Sequence, residues 1–180
     1  MKKNYIVLLL LFLTISFSAY SQKPANQKNM AFAGLGAGLP YGGFGAQLSY
    51  NIENYFTVFG GLGYNLVGAA GNAGFELGIP SKRQTSLFVT GMYGYNAATI
   101  VEGKEIYNNT YNGPSFGAGV KINSLKTPAL FWKISILVPS RSESYNDAIE
   151  AMKRDPSINI ETTPPPVLFS VGLNYSISSL

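Results

Sequence analysis

Along most of the chain, apolar side chains alternate one for one with small or polar ones, which is the period of a β-strand and not of a helix. In 42–52, GGFGAQLSYNI, Phe44, Ala46, Leu48, Tyr50 and Ile52 share one face, and Gly43, Gly45, Gln47 and Ser49 share the other. The same alternation predicts strands at 30–39, 55–66, 73–79, 85–96, 113–122, 132–138 and 166–177. It is regular where Phe116, Ala118, Val120 and Ile122 oppose Ser115, Gly117, Gly119 and Lys121, and where Val167, Phe169, Val171, Leu173 and Tyr175 oppose Ser170, Gly172, Asn174 and Ser176. Within 55–66, Phe59 falls on the face opposite Phe56, Val58, Leu62 and Tyr64 and breaks the pattern.

Repeated two-faced segments of about ten residues suit a closed barrel, whose wall meets a different environment on each side. Two barrels compete. A soluble lipocalin-like binder in the periplasm would turn Phe44, Leu48, Val120 and Ile134 inward around a hydrophobic ligand; a membrane barrel would turn them out to lipid. The polar face is crowded with glycine and carries only scattered charges such as Glu76, Lys121 and Lys133. A water-exposed face would hold more charge, whereas the narrow interior of eight strands favours small residues and a few paired polar ones.

Loop lengths point the same way. Connections at 53–54, 80–84 and 123–128 are short, while those at 67–72, 97–112 and 139–165 share the opposite end with 40–41 and include the longest in the chain. Short inner turns and long outer loops are the asymmetry of an outer-membrane barrel. The expected fold is therefore all-β: an antiparallel up-and-down transmembrane β-barrel of eight strands, with a short helix in the last long loop. That helix is expected over 142–154, with Ser144 three residues before Asp147 as its cap, an i,i+4 pair between Glu150 and Arg154, and Tyr145, Ile149 and Met152 along one side. That side either covers the barrel mouth or contacts an external partner.

Residues 1–21 read as a secretion signal: Lys2 and Lys3, an apolar core from Ile6 to Ile15, and the small-residue approach Ser18-Ala19-Tyr20-Ser21. A short polar leader, 22–29, then precedes the barrel domain, 30–180. The formal net charge of +4 owes half its value to the two signal lysines, so no nucleic-acid partner is implied. The chain has no cysteine and no histidine. Disulfides, thiolate chemistry and Ser-His acyl transfer are excluded, and no catalytic, cofactor or metal site is expected. Glu102, Glu105, Asp147, Glu150, Asp155 and Glu161 sit in loops without ligand spacing. Gly34-Leu35-Gly36-Ala37-Gly38 lacks the Lys-Ser/Thr of a phosphate loop and fits close inner packing instead.

Three charges are informative because the register turns them inward: Glu76 can pair with either Lys121 or Lys133 and narrow the lumen. Tyr50, Tyr55, Tyr64, Tyr95, Trp132 and Tyr175 lie near strand ends or on outward faces, where an apolar ring with a polar tip suits a membrane interface.

With its signal, strand count, glycine-aromatic texture and terminal VLFSVGLNYSI, the chain resembles the small outer-membrane β-barrel proteins of Gram-negative bacteria, in the eight-stranded porin-like group. The resemblance spans roughly residues 30 to 180. It implies export through the periplasm to the outer membrane, contact with outer-membrane lipids, and recognition of the terminal segment by the barrel insertion machinery. Members of the group usually finish on an aromatic residue, whereas this sequence runs Ser178-Ser179-Leu180. The expected function is that of a noncatalytic, monomeric barrel presenting external loops for envelope interaction or adhesion, with an unidentified extracellular or envelope protein as partner. Small-solute transport and lipocalin-like binding are the alternatives.

Overall fold

A computed structural model describes residues 28–79, 81, 84–101, 107–155 and 165–177. The expected signal, 1–21, most of the leader, Pro80, Lys82, Arg83, Glu102, Glu105, Glu161 and the final residues 178–180 lie outside the described residues.

Eight strands form one closed barrel in chain order: β1 (Met30–Gly38), β2 (Gly43–Glu53), β3 (Phe56–Tyr64), β4 (Ala69–Ile79), β5 (Thr85–Thr99), β6 (Asn109–Asn123), β7 (Leu130–Pro139) and β8 (Leu168–Ser176). Each is antiparallel to the next, and β8 closes on β1 from Phe32↔Ser176 to Ala37↔Val171. Helix α1 (Glu143–Arg154) sits in the β7–β8 connection. Closure leaves no sheet edge, so every strand finds a neighbour on both sides.

The wall is apolar outside and polar inside. Phe44, Leu48 and Ile134 are 66, 62 and 42% exposed on the outer surface, while Gln47, Ser49, Glu76, Thr90, Lys133, Ser135 and Asn174 are buried within. This overturns the lipocalin-like alternative, which required Phe44, Leu48, Val120 and Ile134 around an inner cavity. Phe59, the residue that broke the alternation, points into the lumen and packs with Leu39, Met92 and Leu137.

Four strands run longer than the sequence pattern indicates, β7 by two residues at its start and one at its end. β4 starts at Ala69, and β5 and β6 extend to Thr99 and back to Asn109, which shortens the expected 97–112 loop to 100–108. The alternation is lost there for a local reason: the pairing shifts between Tyr95 and Ala97, and the bulge changes which side chains face inward. The ladder itself continues through Ala97↔Tyr111 and Thr99↔Asn109.

Helix α1 begins two residues earlier than the Ser144 cap implies. Ser142 is the N-cap, its hydroxyl accepting from the Tyr145 N–H at 3.4 Å, while Ser144 lies within the first turn. Glu150 and Arg154 pair at 3.4 Å on the exposed side.

Candidate functional site in the lumen and at its mouth

Inside the barrel, the chain that joins β1 to β2 fills space alongside the strand side chains. Leu39, Pro40 and Tyr41 form a single 3-10 turn that folds into the lumen, and all three are buried, Tyr41 to 1% exposure. Three glycines with positive φ bracket the turn: Gly38 at 116°, Gly42 at 66° and Gly43 at 100°. An L side chain would be strained at each, and the reversal into the barrel depends on them. Pro40 fixes the backbone at the start of the turn.

The wall around the turn is made of two hydrogen-bonded rows. The upper row joins Gly172 on β8, Gly36 on β1, Gly45 on β2 and Gly63 on β3, each paired directly with the next. These positions face inward and provide no side chain. A Cβ at Gly172 or Gly36 would strike the Tyr41 ring, and one at Gly45 or Gly63 would strike the Tyr41 carbonyl oxygen.

The row beneath, one inward position closer to the short-turn end, reads Asn174, Gly34, Gln47, Gly61 and Asn72. Its three polar side chains hold the turn. Asn72 donates to the Leu39 carbonyl at 2.6 Å, Gln47 to the Pro40 carbonyl at 3.3 Å, and Asn174 to the Tyr41 hydroxyl at 3.3 Å. Thus glycine gives the room and amides give the grip, on β8, β2 and β4.

Below the turn lies the charged layer. Lys133 reaches Glu76 at 2.5 Å and donates to the Gln47 side-chain oxygen at 2.9 Å. Gln47 therefore couples the ion pair to the turn above it. A small void lined by Pro40, Tyr41, Gln47, Glu76, Lys133 and Ser135 separates the layers. The third sequence-predicted charge, Lys121, stands directly opposite Lys133 on the neighbouring strand. Its ammonium lies 4.0 Å from the Phe131 ring centroid and 5.1 Å from that of Phe32, with the two rings edge to face. Of the two lysines, Lys133 takes the acid.

At the mouth, Tyr145 and Met152 of α1 are buried and Ile149 is half-buried. Tyr145 packs edge to face on Tyr111, with Ala97 beside them. The side of the helix considered for external contact is therefore turned toward the barrel rim. Arg141 ties this region together: its guanidinium donates to the Asn96 carbonyl and, at 3.2 Å, to the Pro165 carbonyl, and it lies 5.3 Å from the Tyr145 ring. Burial lowers the Arg141 pKa from its ordinary value, opposed by the nearby Tyr145 and Tyr95 hydroxyls. Tyr107 reaches Asp155 at the end of α1 at 3.4 Å.

Among the aromatics expected at a membrane interface, Tyr50, Tyr55, Tyr64, Trp132 and Tyr175 are exposed on the outer surface. Tyr95 differs: beyond Gly94, with φ of 142°, it packs half-buried against the inner cluster of Leu39, Phe59, Met92 and Leu137. Phe44, Tyr93, Phe116 and Phe169 are further exposed aromatics, outside the set expected at the interface.

The inward turn and its three amides also escaped the sequence. Their signal was present: glycines at 34, 36, 38, 42, 43 and 45 surround a Pro-Tyr step, with more at 61, 63 and 172. Among the described residues, no group of three or more acidic, His or Cys side chains could hold a metal ion.

No protein-family model and no curated protein matches the chain. Among solved structures, it is similar to the N-terminal β-barrel domain of Pseudomonas aeruginosa OprF, with a TM-score of 0.52 and 11% sequence identity over 83% of this chain and 98% of that one. At that identity the likeness is one of fold: this chain is an eight-stranded, closed antiparallel barrel of the architecture found in that domain.

Proposed function

We propose that the protein is a noncatalytic barrel of a Gram-negative outer membrane, exported through the periplasm and presenting its outer loops for envelope interaction or adhesion. The observation that carries this reading is the inversion of the wall, with leucine, isoleucine, valine and aromatic side chains exposed around the barrel and amides, hydroxyls and an ion pair within. In water that surface would be an association hazard; in a bilayer it is the stable arrangement. Outer-membrane lipids and the barrel insertion machinery are then its general partners, and the closed single-chain wall suits a monomer.

The outer end offers more surface for recognition than the inner turns. On α1, with Tyr145 and Met152 turned to the rim, the exposed residues include Glu143, Asn146, Asp147 and Glu150. This polar face, rather than the Tyr145–Met152 side, is the one available to a protein partner. Passive solute transport is disfavoured by a lumen filled at two levels.

Fractionation of expressing cells tests the location. Recovery in the outer membrane, with a gel mobility in detergent that changes on boiling, is the expected result; a freely soluble periplasmic protein would overturn the proposal. Deleting 144–154 then tests the loop role: binding of whole cells to host or envelope surfaces should fall while insertion is retained. Unchanged binding would remove the helix from the interaction.

A further inference from the structure

We propose that the Leu39–Tyr41 turn is a built-in plug that closes the side of the lumen which four successive strands leave without side chains. An eight-stranded barrel is ordinarily filled by the inward side chains of its own strands. Here the row that surrounds Tyr41, Gly172-Gly36-Gly45-Gly63, has no side chains to fill with. Four strands in succession leave an empty groove along one hydrogen-bonded row, and the turn occupies it.

The attachment is that of a separable part. The turn is held by hydrogen bonds from Asn72, Gln47 and Asn174, and by the packing of Leu39 on Phe59, Met92 and Leu137. Gly38, Gly42 and Gly43 adopt backbone angles that bring the turn inward, and their freedom at φ also permits an outward path. The strands on either side remain paired to other strands whichever way the turn points. Removing the plug therefore leaves a glycine-walled passage from the mouth down to the Glu76–Lys133 layer.

The absence of native cysteine gives a clean test, since a single introduced thiol is the sole target. Ser135→Cys places it in the void beneath Tyr41, and Ser176→Cys places a control thiol on the lumen wall nearer the short-turn end. Folded protein, verified by heat-modifiable mobility, is treated with a charged, membrane-impermeant methanethiosulfonate reagent. With Tyr41 present, the Ser135→Cys thiol reacts slowly. In the Tyr41→Gly background its rate should rise by about tenfold or more, as for a minor open state made dominant, while the Ser176→Cys rate stays put. Tyr41→Phe should keep the site shut. Equal Ser135→Cys rates with and without Tyr41, or a parallel rise at both thiols, would overturn the plug. If Tyr41→Gly does not insert, Asn72→Ala with Asn174→Ala cuts two tethers and retains the tyrosine, and the same outcomes decide.

Discussion

Lys133 on β7 and Glu76 on β4 meet across the lumen at 2.5 Å, with side chains only 7 and 11% exposed. Neither strand neighbours the other in the barrel, so this contact joins opposite walls. Lys133→Ala should leave the Glu76 carboxylate buried beside Gln47 without its counter-charge, a loss of about 3–5 kcal/mol. Urea unfolding followed by the fluorescence of Trp132, the single tryptophan, measures it. Replacing both partners, as in Glu76→Leu with Lys133→Met, should cost less than Lys133→Ala alone, because no charge is stranded. A double variant as weak as the single one would show that the pair is not a closed electrostatic unit.

Gly172→Ala should cost about 1–3 kcal/mol, the range for overfilling a tight interior, because its Cβ would strike the Tyr41 ring. In a Tyr41→Ala background the same substitution should cost much less. The coupling between the two changes, read from urea midpoints in a double-mutant cycle, should exceed about 0.5 kcal/mol. Additive costs would separate the glycine from the tyrosine.

The outer wall makes a depth-dependent prediction. Leu48, exposed near the middle of β2 and paired with Ala33 and Gly60, lies within the apolar band. Leu48→Arg should destabilise the barrel in lipid vesicles by about 2–4 kcal/mol, whereas Thr85→Arg, at the inner end of β5, should cost about 0–1. Equal, small effects at both sites would argue against a bilayer around the wall.

Arg141→Ala should free α1 from the rim while leaving the barrel intact. It removes the guanidinium donors to the Asn96 and Pro165 carbonyls and the cation above Tyr145. Loss of charged hydrogen bonds of this kind is worth about 1.5–3 kcal/mol, so trypsin cleavage at Lys153 or Arg154 should accelerate by roughly tenfold or more with the unfolding midpoint of the barrel nearly unchanged. An unaltered cleavage rate would assign the helix's placement to Tyr145 and Tyr111 alone.

Much of this architecture is legible in the sequence because a strand's period is carried by single residues. Phe44 to Ile52 and Val167 to Tyr175 declare their faces without any knowledge of what they pair with. The plug is different in kind. Gly36, Gly45, Gly63 and Gly172 form a row only through the registers of three ladders, and those offsets are set by bulges and turn lengths that the local pattern does not encode. Phe59 shows the same limit on a smaller scale, since an apolar residue on a polar face makes sense only once Leu39 is known to come inward. Counting in twos along β5 puts Tyr95 outward with Tyr93; the ladder is regular as far as Tyr95↔Asn112, but Gly94 between them takes a φ of 142°, which the local pattern does not encode. The Glu76–Lys133 pairing required heights on opposite walls, which no strand pattern supplies.

The seating of Tyr41 also bears on how the barrel reaches a single topology. Joining β8 to β1 brings together the two strands most distant in sequence, the ladder with the greatest loss of chain entropy and the slowest to form. Tyr41 sits astride that ladder, between Gly36 and Gly172, with its hydroxyl on Asn174. A slip of two residues would preserve every inside–outside preference along β8, yet it would bring Ser170 or Asn174 opposite Gly36, where the ring needs bare backbone. The tyrosine thus proofreads the final closure, rejecting the one class of misalignment that hydrophobic patterning alone would accept.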